Sequence, residues 1–398
     1  MTQPAETPQS VPFPVLLTGL GLTQIVGWGT TYYPLGALAG SVRDATHWSD
    51  TLIFGAFSAS LLLSGLIARA AGQAVDRLGG RKVMLAGSLT AALASFILAF
   101  RATPTGWVAG WLIMAFAMRL ATYDAAFATL TQIAGERTRR AISILSLFGG
   151  LASTLFWPLG HWLATQWGWQ QAFLVYGLLH LFLCAPIHWF MIPPGTGTPA
   201  ARPDGGSEGL TGSERRQAMA VFAAVLAFNG LVFSAVSAHV LQIFQSLGMA
   251  TATAVVLAAM IGPFQVLARL AEIIFGRRLA PRELALVAFG LLPLALALAA
   301  LGGFSLAALA LFAITYGASN GLVTIAKGVY PLALFGRRDY GATLGTLTTP
   351  SLFLNAAAPL LMAWSLSHFG TRFSLLICLV AGLASFTGMI WLARRHNG

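Results

Sequence analysis

The stretch "GQAVDRLGGRKV", Gly72–Val83, is a short charged segment between two long apolar runs. Charged residues are scarce elsewhere, since they make up 9% of the 398 residues while 57% are hydrophobic. Ordinary soluble domains carry about 25% charged residues, so a soluble fold of this composition could not cover its surface. The apolar runs are continuous rather than alternating, which indicates an all-α integral membrane protein rather than a β-barrel.

Outward from this segment, apolar stretches of roughly 20 residues recur about twelve times, and each is long enough to cross a bilayer. The stretch 193–216 is rich in Gly and Pro and has no apolar period, which is typical of a linker. We therefore expect one six-helix bundle in 1–192 and a second in 217–398. The expected spans lie near 12–40, 50–71, 83–101, 105–131, 141–166, 170–192, 217–247, 251–275, 283–301, 304–331, 341–368 and 371–393.

The basic residues gather in alternate loops, and this pattern predicts orientation. Sixteen of them lie on one side, and only Arg43, Arg101 and Arg372 lie on the other. By the positive-inside rule the basic side faces the cytoplasm, so we expect both termini there and a location in the inner membrane. The net charge of +11 is then a topology signal, and no nucleic-acid partner is expected. The sixteen are Arg77, Arg81, Lys82, Arg137, Arg139, Arg140, Arg202, Arg215, Arg216, Arg277, Arg278, Arg282, Arg337, Arg338, Arg394 and Arg395.

The two halves also resemble each other in sequence. "PLGHWLATQWGWQQAF" begins at Pro158 and "PLLMAWSLSHFGTRFS" begins at Pro359, about half the chain later. Both read Pro-Leu, a helix end, a glycine and an aromatic start to the next span. Two parallel six-helix repeats with a site between them at the membrane midplane are typical of a transporter.

The opening stretch resembles the signature loop of the major facilitator superfamily, and it falls between spans 2 and 3 as that family requires. The resemblance covers the whole chain and implies twelve transmembrane helices in two bundles. It also implies that this loop is a gate on the cytoplasmic side. The matching gating residues are Gly72, Asp76, Arg77, Gly79 and Arg81, followed by Lys82.

The chemistry of this loop is consistent with a latch. Asp76 can meet the positive N-terminal end of a neighbouring helix, and the arginines can pair with acids across the seam between the halves. The alternative is a solvated basic turn, which explains Arg77 and Arg81 equally well. The corresponding stretch of the second half, "GRRLAPREL" from Gly276, lacks the aspartate.

Within the superfamily, short motifs resemble the monocarboxylate transporter family and its bacterial relatives. "GWGTTYYPLG" in span 1 is similar to that family's Gly-Trp-Gly opening. In span 8 the family places a polar residue four positions before an arginine that binds the substrate carboxylate, and here these are Gln265 and Arg269. Two departures weigh against the family's proton device, because Gln265 replaces an acid and Leu35 replaces a lysine.

Arg269 is the residue from which we expect substrate recognition. A charged side chain at the centre of a membrane helix costs about 2.5–3.5 kcal/mol on insertion scales. One explanation is a structural pair with Glu272, which lies three residues later. The other is that Arg269 grips a substrate carboxylate with both arms of its guanidinium and that Gln265 adds a hydrogen bond.

For proton coupling the candidates are Asp124, His239 and Glu272. Asp124 lies five residues after Arg119, about 140° round a regular helix, so we expect no pair between them. An intramembrane acid without a local partner can carry a proton, unless it bonds to Arg69 of span 2. His239 is the competing carrier because imidazole titrates near neutral pH.

Further polar side chains lie in mid-span and are expected to line the substrate cavity, and Lys327 is expected to extend toward the membrane surface. No histidine cluster, carboxylate pair, nucleotide loop, nucleophile motif or metal spacing stands out, so we expect neither an enzyme nor a cofactor. We predict a monomeric, proton-driven secondary transporter of a small organic anion, plausibly a monocarboxylate. An exporter of drugs or other toxic compounds is the alternative, and a membrane enzyme is a remote one. The additional cavity residues are Asn229, Tyr123, Tyr316 and Asn320.

Overall fold

The computed structural model describes residues 11–194, 209–276, 279–301 and 305–396. The regular structure in these ranges is helical, with a 3-10 turn at Gly135–Arg137 and a π-helical turn at His180–Cys184. The α-helices are α1 Phe13–Thr31, α2 Pro34–Thr46, α3 Asp50–Leu78, α4 Gly80–Phe100, α5 Pro104–Ala121, α6 Tyr123–Ile133, α7 Thr138–Gly150, α8 Ala152–Trp167, α9 Trp169–Leu179, α10 Ala185–Met191, α11 Gly212–Ser246, α12 Thr251–Phe275, α13 Pro281–Leu301, α14 Leu306–Phe335 and α15 Tyr340–Arg395.

These helices make twelve membrane passes. Ten stretches of the described residues are long and apolar enough to cross a membrane. One of them is the 56-residue α15, which at 1.5 Å per residue is far too long for one pass through a core of about 30 Å. Gly370, with a φ of 76°, breaks it into two passes. The α1–α2 pair supplies the remaining pass, so the expected twelve-helix architecture is confirmed.

Several passes are interrupted in mid-membrane, and the sequence explains where. Pro34 begins α2 and lacks the N–H that would continue α1. Thr122 separates α5 from α6 with extended backbone angles, φ −96° and ψ −164°. Between α7 and α8 the break follows Gly149 and Gly150, because paired glycines weaken a helix. These breaks let side chains leave the regular helical positions.

The passes form two halves, α1–α10 and α11–α15, which share one core at one end and have separate cores at the other. Packing of α3 on α15 and of α7 on α12 and α14 joins the halves. The shared core lies at the end that carries the basic loops, which we call the basic face. It combines residues of both halves, among them Val75, Phe127, Ile142, Phe222, Ala326, Val329, Tyr340 and Leu344. The separate cores lie toward the opposite face, with Trp107, Trp111, Trp169 and Phe173 in one half and Phe244, Leu296 and Phe312 in the other.

At the basic face α3 and α15 touch through glycines. A side-chain carbon added at Gly72 would lie 2.0 Å from the carbonyl oxygen of Gly341. No other residue type fits such an approach without moving the backbone. The two halves are therefore closed against each other at this end of the molecule.

Candidate functional site

Arg269 lies on α12 between the two halves, and it has no acidic partner among the described residues. It is 4% exposed. Its Nε donates to the carbonyl oxygen of Gly321 at 3.3 Å, and its Nη2 donates to Thr324 Oγ1 at 3.4 Å. Both bonds are long and go to neutral oxygens, and Nη1 has no partner. A buried guanidinium with this environment keeps an uncompensated positive charge.

The opposite wall of this site belongs to the other half, and two glycines of α7 make room for it. A side-chain carbon at Gly150 would lie 1.9 Å from Arg269 Nη1, and one at Gly149 would lie 2.2 Å from the Tyr123 hydroxyl. Tyr123 donates to the carbonyl oxygen of Ser146 at 2.8 Å. Arg269 and Tyr123 therefore sit against neighbouring turns of α7, at one depth in the molecule.

Glu272, which one of the two explanations made the structural partner of Arg269, pairs with a different arginine. Its carboxylate lies 3.2 Å from Arg139 Nη2 on α7 of the other half. Arg139 also donates to the carbonyl oxygens of Gly276 and Leu279, at 2.7 and 2.5 Å. Arg139 thus binds the C-terminal end of α12, where the helix dipole favours a cation, and this position holds Glu272 away from Arg269.

Asp124 lies at the centre of an ion triad, which contradicts the expectation that it has no local partner. Its Oδ2 is 2.8 Å from Arg119 Nη1 and its Oδ1 is 2.9 Å from Lys327 Nζ. The predicted angle between Arg119 and Asp124 assumed a regular helix, but the break at Thr122 lies between them. Arg69, the alternative partner, is exposed.

Lys327 does not extend toward the membrane surface as expected, because it crosses from α14 to Asp124 in the other half. The triad therefore joins the halves by an ion pair at the inner edge of the basic-face closure. The triad and Arg269 together hold three cations and one acid. The middle of the molecule is consequently rich in positive charge.

Asp76 binds the N-terminus of a neighbouring helix, and this predicted contact is confirmed. Its carboxylate accepts hydrogen bonds from the backbone N–H groups of Gly341 and Ala342, at 2.9 and 2.8 Å, at the start of α15. These amides have no partner within their own helix, and the dipole favours an anion there. We call this contact the Asp76 latch. Gly72 allows the close approach, and Gly79 turns the chain with a φ of 83°.

Within the described residues the two arginines of the loop form no ion pair across the seam, which agrees with the alternative of a basic turn rather than with pairing. Arg77 is exposed, and Arg81 stacks over the Trp189 ring of its own half at 4.1 Å. A different basic residue makes a contact across the seam, and the sequence did not predict this contact. Arg337 of the second half donates to the carbonyl oxygens of Thr131, at 3.3 Å, and of Gly135.

The remaining predicted residues divide into free and engaged side chains. Gln265 and Asn320 are half-buried, and their amide groups make no hydrogen bond within the described residues. Asn229 is buried with its Nδ2 unpaired. Tyr316 is fully buried, and its hydroxyl donates to Phe233 O at 2.9 Å. His239 bonds to the carbonyl oxygen of Ala235, one turn back on its own helix.

The architecture defines the class of protein. It is a multi-pass membrane protein with two helical halves that close against each other at one face and have buried charged side chains between them. A sequence profile described as Major Facilitator Superfamily matches residues 20–329. The chain therefore belongs to the major facilitator superfamily, and it is a secondary transporter and not an enzyme.

Solved structures of the same fold agree with this assignment. The human organic anion transporter MFSD10 (TETRAN) is 18% identical with a TM-score of 0.75, over 96% of this chain and 100% of that one. The transporter FucP in its outward conformation is 15% identical with a TM-score of 0.71, over 95% and 98%. The proton:xylose symporter XylE is 12% identical with a TM-score of 0.69, over 96% of each chain. No curated protein sequence matches the chain.

Proposed function

We propose that this protein carries a small organic anion, a monocarboxylate, across the membrane and that Arg269 binds its carboxylate. One observation carries the proposal: Arg269 is 4% exposed and has no acid partner among the described residues. A guanidinium offers two parallel N–H groups that fit a carboxylate. Binding of the anion would compensate a charge that the empty protein leaves unpaired.

The neighbouring side chains fit this role. Gln265 lies one turn before Arg269 on α12, and Asn320 lies on the adjacent α14, where Gly321 also approaches Arg269. Both amide groups are free to donate to a bound acid. The resemblance to the monocarboxylate family and the organic anion transport named for MFSD10 favour the same substrate class.

Proton coupling is the second part of the proposal, and cross-half ion pairs give it a mechanism. Protonation of Asp124 would break its pair with Lys327, and protonation of Glu272 would break its pair with Arg139. Each pair joins the halves at the basic face, so a proton on either acid would favour opening there. His239 bonds to the carbonyl oxygen of Ala235 on its own helix and forms no ion pair across the halves within the described residues, which ranks it below the two acids. We place the basic face in the cytoplasm and the protein in the inner membrane, with both termini cytoplasmic.

The test of the anchor compares acids with their neutral amides. Binding of lactate, lactamide, benzoate and benzamide is measured on purified protein by thermal shift and calorimetry. We expect wild type to prefer each acid, Arg269→Lys to bind it more weakly because the fork geometry is lost, and Arg269→Ala to lose the preference. The matched control is Arg372→Ala, which removes an exposed arginine and should bind like wild type. Equal binding of acid and amide by wild type would refute the proposal.

The test of coupling is uptake into proteoliposomes driven by a pH gradient. Asp124→Asn and Glu272→Gln should each reduce gradient-driven uptake, while counterflow exchange of the acid persists. His239→Gln should retain both activities. Loss of gradient-driven uptake in His239→Gln alone would assign the proton to the histidine instead.

A further inference from the structure

A cluster of aromatic rings in the first half begins at Tyr123, which lies against Gly149 of α7, next to the glycine that Arg269 contacts. Trp28 contacts Tyr123, with ring centroids 5.0 Å apart, and Tyr32 at 5.5 Å. Tyr32 in turn contacts Tyr33 at 5.4 Å and Phe57 at 5.7 Å. We call these five rings the aromatic wall. Together they form one continuous surface on α1, α3 and α6 and on the α1–α2 turn.

One end of this wall reaches the Arg269 site. Tyr123 lies against Gly149 and Arg269 lies against the adjacent Gly150, so the wall and the guanidinium meet at neighbouring positions of α7. All the rings except Tyr123 are half-buried, so part of their surface is not covered by protein. A ring from a ligand can stack on such a surface at the usual centroid spacing of about 4.5–7 Å.

The chemistry of the two walls differs. The aromatic wall contains rings and hydroxyl groups and no charged side chain, whereas the wall from α12 and α14 holds Arg269 and the free amides of Gln265 and Asn320. Asp124 already occupies Arg119 and Lys327. Among the described residues of this site, Arg269 is therefore the cation left for a carboxylate, and the rest of the ligand meets flat apolar surface.

We propose that the preferred substrates are monocarboxylates that carry a planar aromatic group, with the carboxylate on Arg269 and the ring against the aromatic wall. The inference rests on the proposed function, since it assigns the substrate class of the same site. Trp28 contacts both Tyr123 and Tyr32, so it joins the Tyr123 end of the wall to the other rings. Its ring is expected to select for an aromatic substrate.

The test measures the affinities of benzoate, cyclohexanecarboxylate, lactate and benzamide for purified wild-type protein. Ring stacking contributes about a three- to tenfold gain beyond buried area, so benzoate should bind tighter than cyclohexanecarboxylate by about that factor. Trp28→Leu should remove this gain, so that benzoate no longer binds tighter than cyclohexanecarboxylate. Trp28→Phe keeps a ring and should retain most of the gain. Trp364→Leu replaces an exposed tryptophan outside the site and is the matched control.

The outcomes separate this inference from the proposed function. If lactate binds as tightly as benzoate, the aromatic preference is wrong and the anion site stands. The same conclusion follows if Trp28→Leu weakens benzoate and cyclohexanecarboxylate equally. If benzamide binds as tightly as benzoate, Arg269 is not an anion anchor and both proposals are wrong. Should both Trp28 variants unfold, the comparison of benzoate with cyclohexanecarboxylate on wild type still decides the question.

Discussion

Two charged regions lie in the middle of the molecule, and they differ in how their charge is compensated. In the first, Asp124 pairs with Arg119 and Lys327, and the last of these bonds crosses between the halves. In the second, Arg269 bonds only to neutral oxygens of α14. A buried charge requires a partner to offset its desolvation. The triad is complete without a ligand, and Arg269 is not.

Because of this difference, we expect the two regions to have different roles in transport. An ion pair that joins the halves stabilises one conformation, so it acts on the equilibrium between states. An unpaired buried cation makes its site bind an anion more tightly than a neutral molecule, so it acts on substrate binding. Removal of a charge should therefore have opposite effects on stability in the two regions. It should destabilise the protein at the triad and leave it equally or more stable at Arg269.

The largest effect is expected in the triad. Asp124→Asn leaves Arg119 and Lys327 buried without an acid, which should lower the free energy of unfolding by about 3–5 kcal/mol. Thermal and denaturant unfolding in detergent measures the change. Asp339→Asn is the matched control, because that side chain is 68% exposed and its replacement should have almost no effect. A wild-type transition for Asp124→Asn would show that the triad contributes no net stability.

A second variant tests whether Arg269 stays uncompensated because Glu272 is paired with Arg139. Arg139→Gln removes the partner of Glu272, whose side chain is 4% exposed, and should cost about 2 kcal/mol of stability. The freed carboxylate lies three residues from Arg269 on the same helix face, so it should pair with Arg269 and compete with the substrate.

The consequence to measure is an affinity for the acid about tenfold weaker in Arg139→Gln, or about 1.4 kcal/mol. Arg140→Gln changes the exposed neighbour and should leave the affinity unaltered. Unchanged acid binding in Arg139→Gln would mean that Glu272 cannot reach Arg269.

The smallest effect is expected at the Asp76 latch. Asp76→Asn removes the charge at the N-terminus of α15 and keeps one acceptor oxygen for the two backbone N–H groups, a change worth about 1 kcal/mol. The basic face should open more often, so a cysteine introduced at Thr346 should be labelled about fivefold faster. Asp44→Asn, which removes an exposed acid at the opposite face, is the control. Equal labelling rates would argue that the latch does not restrain this face.

The sequence predicted the features that depend on composition and local motif. Apolar length, the basic loops and the Gly72–Val83 motif predicted the fold and the contact between Asp76 and a helix N-terminus. Arg269 stood out because a permanent charge is rare in an apolar helix. Each of these signals lies within a short stretch of chain.

The partners of the buried charges could not be predicted, because they depend on helix breaks and on contacts between the halves. Regular helix geometry separates Arg119 from Asp124, and the break at Thr122 brings them together. Glu272 is a sequence neighbour of Arg269, but the approach of α7 gives it Arg139 instead. The paired Gly149–Gly150 was the available signal that α7 makes a close contact.

The most direct test of the central claim, that Arg269 is uncompensated until an anion binds, is the ligand-free stability of Arg269→Gln. Removal of an unpaired buried charge should leave the melting temperature unchanged or higher. Saturating acid should then raise the melting temperature of wild type but not of the variant. A ligand-free melting temperature several degrees below wild type would mean that Arg269 is a structural tie, and this would contradict the account.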